Sequence, residues 1–158
     1  MLRHHRIEVV VDVRTVPASR RVPHFAKAAL QRSLAEHGIG YVHMPELGGL
    51  RKPNRDSTNT GWRNVSFRGY ADYMQTDEFW DAISQLEKLA ATKRAAVMCA
   101  EAVPWRCHRS LIADALVVRG DEVRHITGMQ EPAPHRLTPL ALVEGGRVTY
   151  PAPDKLPL

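Results

Sequence analysis

The sequence predicts an α/β domain. It reads as a mostly parallel sheet of about four to six strands flanked by helices, Rossmann-like, with a long basic loop after the second strand. Three observations carry this. Glu8–Val13, "EVVVDV", is β-branched and almost continuously apolar, the pattern of a strand covered on both faces. Strand-like and helix-like segments alternate, which implies parallel pairing and right-handed crossovers. The chemically loaded stretches "DVRTVPASRR" and "CAEAVPWRCHR" follow strands, and ligands bind at the carboxyl ends of strands in such sheets.

The elements follow in order. A turn with Pro17 and Pro23 leads to a helix over Ala26–His37, with Ala26, Leu30 and Leu34 on one face and Gly38 as its stop. Tyr41–Met44 is a short second strand. Pro45–Ser66 shows no steady period and holds Gly48, Gly49, Pro53 and Gly61, so it reads as a long irregular loop. Asp77–Ala91 is a helix that Thr76 can cap, with Asp77 and Glu78 at the positive end of its dipole. Phe79, Ile83, Leu86 and Ala90 share its buried face. Ala95–Ala100 is the third strand. A helix runs from Cys107 or His108 to Arg119, with Gly120 at its end, and Glu122–Thr127 is a short fourth strand. Residues 132–158 form a proline-rich tail in which "LALVEGGRVTY" reads as a hairpin around Gly145 and Gly146.

The length, 158 residues, suits one domain. No apolar stretch approaches the roughly 18 residues of a membrane helix. The basic start, Met1–His5, is followed by too short an apolar run for a secretory leader. The expected location is the cytoplasm, with no membrane partner. There Cys99 and Cys107 would be free thiols. Twenty-two basic against 17 acidic residues give a net charge of +5, which favours anionic partners. Arg51, Lys52, Arg55, Arg63 and Arg68 face only Asp56 in their segment, so much of the excess lies there.

"CAEAVPWRCHRS", residues 99–110, admits three chemical readings. The first is an anion cradle. A helix start attracts phosphate or carboxylate, Arg106 and Arg109 add forked donors, and Arg14 would reach the same crevice. Glu101 would then act as general base or hold a hydroxyl. The second is thiol chemistry, because Cys107 lies at a helix N-terminus beside cations. The order strand–Cys99–loop–Arg106–helix is comparable to that of cysteine phosphatases and rhodaneses, although the loop length differs. The third is a metal site from Cys99, Cys107, His108 and Glu101. It ranks last, because adjacent helical residues point in different directions, and no metal or cofactor is expected. Each residue also has a structural alternative. Cys99 reads equally as a core residue, and Arg106 and Arg109 as partners of Glu101 and Asp114.

The basic loop, "GGLRKPNRDSTNTGWRNVSFRGY", interleaves cations with Trp62, Phe67 and Tyr70. Such a pattern can grip a phosphate backbone or form a lid over a phosphorylated ligand. A solvated loop anchored to the core by Trp62 and Phe67 ranks slightly ahead of nucleic-acid binding.

The elements D-V-R (Asp12, Arg14), P-x-S-R (Pro17, Ser19, Arg20), E-L-G-G (Glu46, Gly48, Gly49), F-R-G-Y-A (Phe67, Arg68, Tyr70) and C-A-E with C-H-R (Cys99, Glu101, Cys107, His108, Arg109) together resemble the DUF488 family of uncharacterised, mostly bacterial proteins. The likeness runs from about Ile7 to Tyr150. It implies an α/β sheet domain whose motifs line one site, and no particular reaction. Relatives usually begin with a further strand carrying a T-I-G-H-S-like turn, which this sequence lacks. An exposed sheet edge, open to self-association, is the expected consequence. The functional expectation is binding of a phosphate-bearing ligand, nucleotide or nucleic acid, at the strand ends, with its processing left open. Glu101, Cys107 and His108 are the catalytic candidates. Asp12, Arg14, Ser19, Arg20, Glu46, Arg68, Tyr70, Arg106 and Arg109 are the ligand-binding candidates. A rhodanese- or phosphatase-like thiol enzyme and a non-catalytic interaction module remain the alternatives.

Overall fold

The computed structural model describes residues 1–155. The central strand, β1 (Val9–Asp12), is buried at every position and pairs in parallel with β2 (Gly40–His43) and β3 (Ala95–Met98), in the order β2-β1-β3. Helix α1 (Lys27–Glu36) connects β1 to β2. Helices α2 (Val65–Tyr73) and α3 (Asp77–Thr92) connect β2 to β3, and α4 (Arg109–Val118) follows β3.

Alternation along β1 sets the layers, because successive side chains of a strand point to opposite faces. Val10 joins Leu30 and Leu34 of α1, with Ile7 and Ile39, on one face. Val11 and Val13 join the larger core on the other, with Phe79, Ile83 and Leu86 of α3 and Leu111, Ile112 and Ala115 of α4. A strand apolar on both faces needs helices on both, and each buried valine or leucine contributes about 1.5–3 kcal/mol.

The expected four to six strands are not reached. The parallel sheet has three strands, and the other pairings are antiparallel. Residues 122–127 were expected to extend the sheet. Only β4 (Arg124–His125) forms, and it pairs with β5 (Ala133–Pro134). Ala95–Val97 and Val123–Ile126 both line a cavity of about 420 Å³. The tail supplies the missing partner: His135 N–H donates to the Val123 carbonyl, and the His135 and His125 rings hydrogen-bond at 2.8 Å. A Rossmann-like arrangement is therefore not established. The architecture is mixed α/β.

The hairpin forms as expected, with β6 (Leu142–Glu144) and β7 (Arg147–Thr149). Val148 and Tyr150 bury into the main core, so this part of the tail belongs to the domain's interior. The end of the expected tail, residues 156–158, lies outside the described residues.

Helix α2 is an addition to the sequence reading. Asn64 caps it, its Oδ1 accepting from the N–H groups of Ser66 and Phe67 at 2.9 and 3.2 Å. Gly69 in its middle disguises it. A methyl at that position would collide with the Arg51 carbonyl, so glycine is what lets the loop lie against the helix. Among the described residues, no helix is long and apolar enough to cross a membrane.

Candidate functional site

Two polar groups form at the carboxyl ends of the strands. The first belongs to β1. Asp12 is fully buried and accepts from Arg14 Nε at 2.9 Å, Arg14 Nη2 at 2.7 Å and the Arg14 backbone N–H at 3.1 Å. Tyr41 on β2 donates its hydroxyl to the same carboxylate at 2.5 Å. Burial pushes the Asp12 carboxyl up, but the hydrogen bonds from Arg14 and Tyr41 outweigh it and hold the group below its ordinary value. Tyr41 is pushed up to about 12 by burial and by Asp12. Arg14 is itself buried, with two side-chain donors engaged by Asp12. Its fork is directed within the D-V-R turn, not to the 99–110 loop.

The second group belongs to β3 and α4. Cys99 follows the end of β3. A 3-10 turn, Pro104–Arg106, brings the chain back, and Cys107 is extended at φ −131°, ψ 147°. His108 then turns into the helix at φ −56°, ψ −13°. The expectation that Cys107 and His108 diverge holds only for two residues inside a helix. Here the bend falls between them, and both side chains meet Cys99. His108 Nδ1 lies 3.6 Å from Cys107 Sγ and 4.0 Å from Cys99 Sγ. All three ligand-type atoms lie within 4.8 Å of one another.

Arg109 completes this group. Its backbone N–H and its Nε donate to Cys107 Sγ at 3.5 and 3.4 Å, and its Nη2 donates to the Glu101 carbonyl. Hydrogen bonding from Cys99 and from Arg109 outweighs burial and brings the Cys107 thiol down to about 6. The same contact, with burial, pushes Cys99 up to about 12. The shared contact therefore favours the thiolate at Cys107 and the donating thiol at Cys99.

The wall behind His108 explains two of the sequence motifs. Tyr70 of α2 packs its ring 4.8 Å from the His108 ring and donates its hydroxyl to the Leu47 carbonyl. A Cβ on Gly49 would lie 3.2 Å from His108 Nδ1, so glycine permits the close approach there. Tyr70 and Gly49 thus position the imidazole. His108 Nε2 is buried and has no partner among the described residues.

The remaining candidates lie apart from this cluster. Glu101 is exposed, and its carboxylate accepts from the Val103 N–H at 3.5 Å. Arg106 and Arg20 are exposed. Ser19 Oγ accepts from the Val22 N–H at 3.0 Å. Glu46 is exposed, while its carbonyl accepts from the Tyr73 hydroxyl. Arg68 donates through Nε and Nη2 to the Trp62 carbonyl, and Arg51 stacks over Tyr73 at 3.7 Å.

Two networks were not anticipated. Buried Asp72 of α2 accepts from Asn54 N–H, Ser57 Oγ and Asn59 Nδ2. Asn59 in turn accepts from the Tyr150 N–H, and Trp62 stacks on Phe67. The basic loop is pinned to the core, which disfavours the lid and favours the anchored-loop reading. Asp114 of α4 was expected to pair with Arg106 or Arg109. Instead it accepts from the Tyr150 hydroxyl and the Thr138 N–H, and pairs with His135 Nε2 at 2.7 Å. An Asp within the otherwise apolar run Leu111–Val118 was the signal for a distant partner. Nothing local named the partner.

No curated protein and no solved structure matches this chain. A family model does: "Domain of unknown function DUF488" matches residues 1–116, which takes in β1 and the whole Cys99–Arg109 cluster. With more than half of its length matched, including the tips of β1, β2 and β3, the chain belongs to the DUF488 family.

Proposed function

We propose that the chain is a thiol enzyme that acts on a small anionic electrophile, with Cys107 as its nucleophile. The observation that supports this is the arrangement around one sulfur: Cys107 Sγ receives two donors from Arg109 and stands beside a second thiol and an imidazole. A nucleophile held by cationic donors with a base in reach is the general form of an activated cysteine. His108 is the proton carrier. Cys99, half-buried, is the second thiol that can receive or resolve what Cys107 has taken up. Glu101 is farther out and contributes through its carbonyl, which holds Arg109.

With a sulfane donor such as thiosulfate, the Cys107 thiolate forms a bond to the outer sulfur. The S–S bond of the donor breaks, sulfite leaves with the electron pair, and a cysteine persulfide remains. With a phosphomonoester the same thiolate displaces the alcohol, whose oxygen takes a proton. Incubation with thiosulfate in one arm and a phosphomonoester in the other, read by intact mass, tests this. The expected result is a gain of one sulfur or one phosphoryl group on the wild type and none on Cys107→Ala. An adduct confined to Cys99, or none in either arm, overturns it.

A second reading is binding of a phosphate-bearing ligand, nucleotide or nucleic acid. Lys52, Arg55, Arg63 and Arg106 are exposed and enter none of the ion pairs found among the described residues. Affinity for a labelled oligonucleotide that falls steeply with salt, and weakens in Arg55→Ala with Arg63→Ala, is its expected signature. Salt-independent or absent binding counts against it.

A further inference from the structure

The three atoms that meet at the strand tips also fit a different occupant. Zinc bonds thiolate sulfur at about 2.3 Å and imidazole nitrogen at about 2.0–2.1 Å in tetrahedral sites. Those bond lengths place a sulfur and a nitrogen of one site about 3.6 Å apart, and two sulfurs about 3.8 Å apart. His108 Nδ1 stands 3.6 Å from Cys107 Sγ and 4.0 Å from Cys99 Sγ. The whole set lies within 4.8 Å. The two sulfur–nitrogen separations match those of a tetrahedral site to within a few tenths of an ångström, and the two sulfurs, within 4.8 Å of each other, need at most about 1 Å of side-chain movement to close the set.

We propose that Cys99, Cys107 and His108 form a three-ligand site for a divalent cation of the zinc class, with the fourth position open. Two thiolates and one imidazole suit a soft-to-borderline ion and exclude magnesium or calcium, which take oxygen ligands. Two thiolates balance the charge of the ion, so the centre is neutral before a fourth ligand arrives. Three protein ligands with an open corner is the form of a catalytic rather than a structural zinc site.

The backbone supports the same assignment. The bend between Cys107 and His108 aims two adjacent side chains at one point, which a regular helix cannot do. Gly49 gives Nδ1 its clearance, and the Tyr70 ring fixes the plane of the imidazole. A ligand set held by surrounding packing before any ion arrives is the condition for tight and selective binding. The inference uses the same side chains as the thiol reading but does not depend on Cys107 acting as a nucleophile. The two differ in one respect: a bound ion occupies the thiolate and blocks its attack.

The test is titration of the reduced full chain, freed of metal, with Co(II) alone and then with Zn(II). The expected result is one Co(II) per chain, with sulfur-to-metal charge-transfer absorption, the visible bands of a tetrahedral ion, and displacement by Zn(II). Cys99→Ser, Cys107→Ser and His108→Gln should each weaken binding by at least the roughly 10–100-fold that follows loss of a mere outer-shell partner. Should a variant unfold, thiol protection in the wild type serves instead. Zn(II) should shield both cysteines from alkylation, and a chelator should restore them. Octahedral Co(II) spectra, unsaturable binding, or a Zn(II)-treated chain with either thiol still reactive overturns the site. The thiosulfate and phosphomonoester arms, run on the metal-free chain, fail or succeed independently of these results.

Discussion

The two polar groups at the strand tips lie on neighbouring strands and have opposite characters. Asp12, Arg14 and Tyr41 satisfy one another: the carboxylate takes both its forked partner and a hydroxyl, and both charges are out of water. Cys99, Cys107 and His108 do not. Their contacts run through weak sulfur bonds at 3.4–4.0 Å, and one imidazole nitrogen has no partner among the described residues. A closed group locks its members together, because removing one partner leaves an uncompensated buried charge. An open group at the same sheet edge contributes little to stability and keeps its capacity for a ligand. Charge density alone does not separate these roles. The completeness of the hydrogen bonding does.

The largest test of that contrast is Asp12→Ala. It strands the Arg14 guanidinium in the interior and should cost about 3–5 kcal/mol in urea unfolding. A loss under about 1 kcal/mol would mean that water, not Asp12, satisfies Arg14. Next in size is Asp72→Ala, which releases three donors from the basic loop. A loss of about 1–3 kcal/mol is expected, together with faster proteolysis within residues 54–61. Unchanged proteolysis would show that Asp72 does not pin the loop.

Acid should probe the closed group selectively. A carboxyl lowered in the folded state stabilises above its unfolded value, and that contribution is lost as pH falls through the folded value. Asp12 is such a group. Stability should therefore fall below about pH 4, the ordinary carboxylate range, and Asp12→Asn should flatten that limb. An identical acid limb in the variant would place the titrating group elsewhere. The smallest effect belongs to the open group. Cys107→Ala removes one buried heavy atom, a change on the scale of about 0.5–1.5 kcal/mol, while abolishing the thiosulfate or phosphomonoester adduct.

Much of this was legible in the sequence, for local reasons. The valine run of β1, the Thr76 cap and the Gly145-Gly146 turn each encode their structure within a few residues. The order of elements through α4 was legible too, except for α2, which the sequence reading passed over. What was not legible depended on distant partners. β4 left the sheet because His135, well along the tail, bonds to Val123 and to the His125 ring. Helix α2 was masked by Gly69, whose reason lies in Arg51 across the loop. The motif residues were identified together, but the sequence could not say that Arg14 would turn to Asp12. Nor could it show the bend after Cys107 that lets two neighbouring side chains converge.

The central claim is that Cys107 is the activated sulfur of an open cluster and Cys99 its protonated companion. Alkylation of the metal-free native chain, followed for each cysteine separately by peptide mass spectrometry across pH, tests it directly. The account predicts that Cys107 reacts first, with a midpoint near 6, while Cys99 stays slow through neutral pH. Faster modification of Cys99, or two thiols that both titrate near the ordinary value of 9.0, would contradict it.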